Sequence, residues 1–385
     1  MTKKGGDKNV LKRHLKHIDY WLVATILALS LFGLVMVYSA SYPLAMLHYG
    51  NDKHFLNRQW ISLLIGLAMF ALAAIFPYQK LRKLTPALIL GSILLLLLVL
   101  VPGIGVERNF SQRWLSIGSF MFQPSEAVKL TMILYFAHVY AKKQNYIDDF
   151  KNGVLPPLVI MGIVFFLILS QPDLGTATSI LMACGCILFC SGVRMAHLIG
   201  LGTIALAGIT YLALSASYRL QRVLSFRDPF EDASGSGYQL INSYEAIAYG
   251  GLSGNGLGGS IQKLGFLPEA HTDFIMSIIL EELGIAGLLF MVCAYLFIMY
   301  RGVRISLMAR DPFLKLLAIG LTFQIMIQVL FNLGAVSGLL PITGITLPYI
   351  SYGGSSLIFM LISSGVLVNL SAVVNKTKAI QHKLN

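Results

Sequence analysis

Residues 20–40 read YWLVATILALSLFGLVMVYSA. As a helix these 21 residues span about 32 Å, enough to cross a hydrocarbon core of about 30 Å. The basic residues Lys3, Lys4, Lys8, Lys12, Arg13 and Lys16 precede the run, and Tyr38-Ser39-Ala40-Ser41 loosely resembles a signal-peptidase site. The apolar run is longer than a secretory h-region, so it is read as a retained first span.

The same pattern recurs down the chain. Hydrophobic residues make up 56% of the 385 and charged residues 12%, with a mean hydropathy of +0.73. A soluble protein carries about 25% charged residues. The chain therefore reads as an all-α polytopic membrane protein, a single integral domain over 1–385. Hydropathy places ten spans near 20–41, 60–77, 84–102, 122–141, 154–170, 174–192, 195–215, 273–300, 316–339 and 351–374. The longest polar segment, 216–272, joins spans seven and eight. Tails at 1–17 and 375–385 flank the bundle.

Charge sets the orientation. With the N-terminus inside, the inner segments hold 20 of the 29 Lys and Arg residues and the outer segments 8, while Lys129 lies within a span. Both termini are therefore expected in the cytoplasm, with 216–272 a large extracytoplasmic loop. The net charge of +12 is then an inner-face anchor for anionic lipid and not a nucleic-acid surface. Cys184, Cys186, Cys190 and Cys293 all fall within spans. With no His or carboxylate beside the first three, they read as buried apolar filler.

The chemistry concentrates on the outer side. Residues 266–275, FLPEAHTDFI, place Glu269, His271, Thr272 and Asp273 where the long loop meets an apolar helix. A carboxylate at a membrane edge is costly to ionise and is usually retained for chemistry. Ser217–Arg227 has Leu220, Val223 and Leu224 at helical spacing, with Arg219 and Arg222 on another face. It predicts a short interfacial helix whose arginines either snorkel to headgroups or clamp lipid-borne phosphates. Residues 250–259 hold six glycines. They follow no strand, so a nucleotide-loop reading fails and a tight, close-packed or movable backbone is expected. Glu126 and Lys129, three apart, either neutralise each other for insertion or act at the site. Glu281 lies eight residues beyond Asp273 on roughly the same face. It could orient a polar network or serve as structural support. Residues 341–356 carry two prolines and three glycines, which predicts a folded-back loop, with Asn332 below it.

These motifs resemble the SEDS family (shape, elongation, division and sporulation). The resemblance rests on Gln123-Pro124-Ser125-Glu126 with Lys129, Gln171-Pro172-Asp173-Leu174-Gly175-Thr176, Gly237-Tyr238-Gln239, Gln262-Lys263, and Phe266-Leu267-Pro268-Glu269 with His271-Thr272-Asp273. Glu281-Glu282-Leu283-Gly284 and Leu347-Pro348 with Ser351-Tyr352-Gly353-Gly354-Ser355 complete it. Leu340–Pro348 is more like the division branch than the elongation branch. Ala246–Gly251 departs from the pattern, since many members carry Gly-Ser before the glycine pair.

The resemblance implies an inverting glycosyltransferase that polymerises lipid II at the outer face of a bacterial membrane and releases undecaprenyl pyrophosphate. It implies a class B penicillin-binding protein and divisome membrane proteins as partners, and Asp273 as general base. Trp114, Glu126, Lys129, Arg219, Arg222, Lys263, Glu269, His271, Thr272, Glu281 and Ser351 are the candidate substrate-binding or supporting positions. Trp114 could stack on sugar rings or simply anchor at the interface. Arg219, Arg222, Lys129 or a divalent cation, Mg or Mn, could neutralise the pyrophosphate. A lipid II flippase or a scaffold are the other classes.

Overall fold

Apolar chain in a membrane must satisfy its own backbone hydrogen bonds, and the helix does this within one segment. A computed structural model describes residues 14–108, 111–118 and 120–381. The predicted basic cluster from Lys3 to Arg13 and the last four residues of the C-terminal tail lie outside them. The helices are α1 (Tyr20–Tyr49), α2 (His54–Ile75), α3 (Tyr78–Val99), α4 (Pro124–Lys142), α5 (Leu155–Leu169), α6 (Leu174–Cys190), α7 (Met195–Leu214), α8 (Ser217–Arg227), α9 (Tyr238–Gly250), α10 (Ile275–Met308), α11 (Pro312–Val336) and α12 (Gly354–Gln381).

Each of the ten expected spans coincides with one of these helices, and the short helix expected over 217–227 is α8. Eight helices among the described residues are long and apolar enough to cross a membrane, α5 when taken with the π-helical turn Phe150–Val154 that precedes it. The other two are α6, of 17 residues, and α4, which carries Glu126, Lys129 and Lys142.

The chain is nearly all helical, with one small sheet among the described residues. Three short strands, β1 (Gly105–Arg108), β2 (Ser111–Ile117) and β3 (Phe120–Phe122), form an antiparallel sheet in the order β1-β2-β3. Val106 pairs with Trp114 and Leu115 with Phe122. Hydropathy windows of span length pass over such short strands. Ser355 ties the sheet to α12: its Oγ donates to the Met121 carbonyl at 2.9 Å and accepts the Gln123 N–H at 3.2 Å.

α11 is the hub, packed against α10, α6 and α4, and α12 lies along α2. By contrast, α7 has no buried residue.

The device that places the site is a break in α10. Gly284 sits at φ +58 and interrupts the helix. A break strands the last carbonyls of one half and the first N–H groups of the other. The glycine segment after α9 supplies the missing partners. Asn255 and Gly256 donate their N–H groups to the Glu281 and Glu282 carbonyls, both at 2.9 Å, and Ile285 donates to the Leu252 carbonyl at 3.0 Å. Backbone approaches backbone so closely that a Cβ on Gly254 would collide with the Glu282 carbonyl.

This crossing makes Gly254→Ala costly by about 2 kcal/mol or more, from the left-handed backbone together with the collision. Gly256 has a similar φ of +87 but open space around it. Gly256→Ala should therefore lower the thermal unfolding midpoint in detergent distinctly less than Gly254→Ala.

Candidate active site

The turn that carries the carboxylates is built on Glu269, whose φ of +54 is strained for a non-glycine residue. Its carbonyl accepts the N–H groups of Thr272 at 3.1 Å and Phe274 at 3.2 Å, which curls the chain into the start of α10. Thr272 Oγ1 then lies 2.6 Å from Glu269 Oε2 and 2.9 Å from Asp273 Oδ1. A hydroxyl has one proton to donate. The two carboxylates therefore compete for it and act as a linked pair.

Three outside elements hold this turn in place. Asn332 on α11 donates its side-chain N–H to the Asp273 carbonyl at 2.7 Å and to the Ile345 carbonyl at 2.9 Å. Ser351 Oγ donates to the Thr272 carbonyl at 2.6 Å and accepts the Leu347 N–H at 2.8 Å. Tyr352 donates its N–H to the His271 carbonyl at 2.9 Å. The buried His271 ring rests against Phe55, with centroids 4.6 Å apart, and against Tyr352 at 5.5 Å. Burial pushes its pKa below the ordinary value, opposed by the charge of Glu269.

Asp273 is half-buried. Desolvation first, and the neighbouring Glu269 charge second, push its carboxyl up to about 6, against the Thr272 hydrogen bond and the field of Arg222. A carboxylate tuned toward neutrality is suited to general-base work in a way that an ordinary aspartate is not.

The sequence-predicted positions divide between this turn and sites away from it. Glu269, His271, Thr272, Asp273 and Ser351 come together, with exposed Arg222 within electrostatic reach. Half-buried Arg219 turns back, its Nη1 donating to the Leu212 carbonyl at 2.9 Å. Lys263 is fully buried in an ion pair with Glu282 at 2.6 Å, beside Ser39 of α1 and over the Tyr42 ring. Glu281 accepts from Ser260 Oγ at 2.5 Å and from the Ile261 N–H at 2.7 Å, holding the loop and not Asp273. Lys129 pairs with Glu126 at 2.8 Å and reaches Gln328 at 3.4 Å, one helical turn below Asn332 on α11. Trp114 is half-buried in β2, opposite Val106.

Sequence reasoning missed Gln59, which donates to the Ser351 carbonyl at 3.2 Å and accepts the Gly353 N–H at 3.3 Å. It also missed Phe55, and the pairing of Arg113 with Asp173 at 3.5 Å. The signal for the last was present, since an outer Arg and an outer Asp had no other assigned partner. For Gln59 and Phe55 the sequence holds none. Among the described residues no group of three His, Cys, Asp or Glu side chains could hold a metal ion. A cavity of about 770 Å³ between α2, α3, α4 and α12 contains none of the site positions.

Residues 20–376 match the cell cycle protein model that describes FtsW, RodA and SpoVE. The chain belongs to the FtsW/RodA/SpoVE family. It is 48% identical over 377 residues to the probable peptidoglycan glycosyltransferase FtsW of Bacillus subtilis strain 168, covering 95% of this chain and 93% of that protein. It is 44% identical to the stage V sporulation protein E of the same organism, over 92% of this chain and 96% of that one. Among solved structures it is similar to one in a peptidoglycan synthase complex that coordinates polymerization and crosslinking. There the TM-score is 0.76 at 30% identity, over 93% of this chain and 98% of that one. Thermus thermophilus RodA gives a TM-score of 0.68 at 28% identity, over 92% and 96%. The chain is thus a multi-pass membrane member of the FtsW/RodA/SpoVE family.

The tuning of Asp273 carries a pH signature. With Asp273 as a base, which must be ionised to act, activity should fall as pH drops through about 6, the value for this carboxyl. Glu269→Gln removes the repulsion that raises it, and the acid limb of kcat/KM should move to lower pH. An unshifted limb in that variant would show that Asp273 does not set the profile.

Proposed function

We propose that this chain is a peptidoglycan glycosyltransferase that polymerises lipid II into glycan strands for septal synthesis, with Asp273 as general base. The observation that carries the reading is a carboxylate, raised toward neutral pH, on a turn fixed from three sides at the mouth of α10. The names of the similar proteins and the side of the membrane implied by the basic residues support it. In this reading the site faces outward and the partner is a class B penicillin-binding transpeptidase. The synthase complex whose structure is similar supports such a pairing.

The acceptor sugar 4-hydroxyl gives its proton to an Asp273 oxygen as its own oxygen bonds to the donor anomeric carbon. The bond to the pyrophosphate oxygen breaks, and undecaprenyl pyrophosphate leaves with the electron pair. One displacement inverts the α linkage to β. General-base assistance of this kind is worth about 10²–10⁴ in rate. Thr272 orients Asp273, while Arg222 on α8 would meet the leaving phosphates. Glu269, the carboxylate not used as base, would help hold Mg bound mainly by the substrate phosphates. Such an ion would neutralise leaving-group charge, and chelator sensitivity of purified protein tests for it.

The proposal requires Asp273→Asn to lose polymerisation by at least about 10². The same variant should unfold no more easily than the parent at pH 7–8. The fold raises the carboxyl pKa, so ionised Asp273 costs stability above its unfolded value of about 3.9, and a neutral isostere escapes that cost. Substantial polymerisation by the purified variant would sink the assignment. Relocation of lipid II without glycan strands would favour the flippase reading instead.

A further inference from the structure

The segment after α9 has features that the chemistry of the site does not use. From Ala246 to Gln262 there is no charged residue in 17 positions. Leu252 and Leu257 are 78% and 59% exposed, and Ile261 and Leu264 are exposed beside them. Such a cluster on an aqueous loop would be unfavourable. Yet Leu252 is bonded directly to Ile285, the first exposed apolar residue of a helix face that continues through Leu289 and Phe290.

The level of that junction can be read from the helix. Between Glu282 and Arg301, α10 has 18 residues without a charge, about 27 Å of rise, close to the hydrocarbon thickness of about 30 Å. The hydrocarbon therefore begins near Gly284, where the loop crosses the helix. Non-helical backbone is tolerated there only if its polar groups are satisfied. The three bonds across the break satisfy the groups nearest the helix, and the buried Lys263–Glu282 pair pins the far end of the segment to α1 through Ser39.

We propose that residues 252–264 are bedded in the acyl-chain boundary of the leaflet on the Asp273 side, with Leu252, Leu257, Ile261 and Leu264 in contact with lipid hydrocarbon. The segment acts as a stop that fixes the height of the site. The turn bearing Asp273 is tied to Asn332, 17 residues or about 26 Å of helix beyond Lys315, so it too lies near the hydrocarbon edge. On the glycosyltransferase reading, this is the level at which a lipid-borne pyrophosphate and its sugar meet the site.

The test measures depth and does not depend on catalysis. In full-length protein with its four cysteines replaced, reconstituted in phospholipid nanodiscs, a nitroxide is attached at Leu257→Cys or, as an aqueous control, at Ser234→Cys. The ratio of oxygen to nickel-chelate collisions is expected to be several-fold higher at 257 than at 234. Equal ratios would place the loop in water and overturn the proposal, leaving the leucines as a protein-docking face. Should the cysteine-free background fold poorly, Leu257→Trp in the native chain serves instead. Lipids brominated on the upper chain should quench its added fluorescence, and no quenching beyond the parent overturns the idea equally. Leu257→Asp should lower polymerisation of bilayer-embedded substrate several-fold while Leu257→Met stays parental. Parental rates for Leu257→Asp would remove the height-setting role, and inactivity of the parent would instead count against the glycosyltransferase reading.

Discussion

The bond from the Asn332 amide to the Asp273 carbonyl is the interaction on which the rest of the site depends. It joins the hub helix α11 to the turn that carries both carboxylates, and the same amide holds the Ile345 carbonyl. A single buried side chain thus fixes three segments distant in sequence. Bonds from a buried amide to carbonyls that water cannot reach are costly to leave unmade. The turn therefore has one preferred position, and the strain at Glu269 persists because its surroundings over-determine it.

That rigidity is what lets burial tune a carboxyl. Desolvation raises a pKa only if the group cannot swing out to water, and Asp273 is held through its own backbone from α11 and through Thr272 from the Ser351 loop. Glu269 adds repulsion through a shared hydroxyl. The cations are arranged differently. Lys129 and Lys263 are buried against Glu126 and Glu282, so they belong to the scaffold, whereas Arg222 is exposed. Breaking either buried pair from one side would leave an uncompensated charge, which typically costs about 3–5 kcal/mol.

The helices were legible because a membrane makes hydropathy nearly decisive. Length and apolarity alone determine where a span can lie, so every expected span found a helix. The α8 helix was legible from the spacing of Leu220, Val223 and Leu224. The sheet at 105–122 was not, since its strands are short and its pairing is set by tertiary contact with α12 through Ser355. In the site, Asp273 could be singled out because a carboxylate at an apolar border is conspicuous. Lys129 and Glu281 looked equally conspicuous as charges within spans, yet they are spent on a buried ion pair and on holding the loop. Sequence shows that a charge is expensive where it lies; only its partners show what compensates it.

The break at Gly284 separates two tasks that one straight helix could not combine. Below it, α10 runs 18 uncharged residues through hydrocarbon. Before it, a short half-helix begins at the carboxylate turn, which is tied to Asn332, and carries Glu281 and Glu282 into buried contacts. An unbroken helix would have no place for the glycine segment, and the buried Lys263–Glu282 pair would lose the loop that delivers its lysine. Glycine is needed on both sides of the crossing because a Cβ on either Gly254 or Gly284 meets a carbonyl of the opposing backbone. Gly250 and Gly254 are the two of the six glycines of 250–259 whose Cβ would meet the α10 backbone. They let an irregular chain lie against a split helix closely enough to satisfy it.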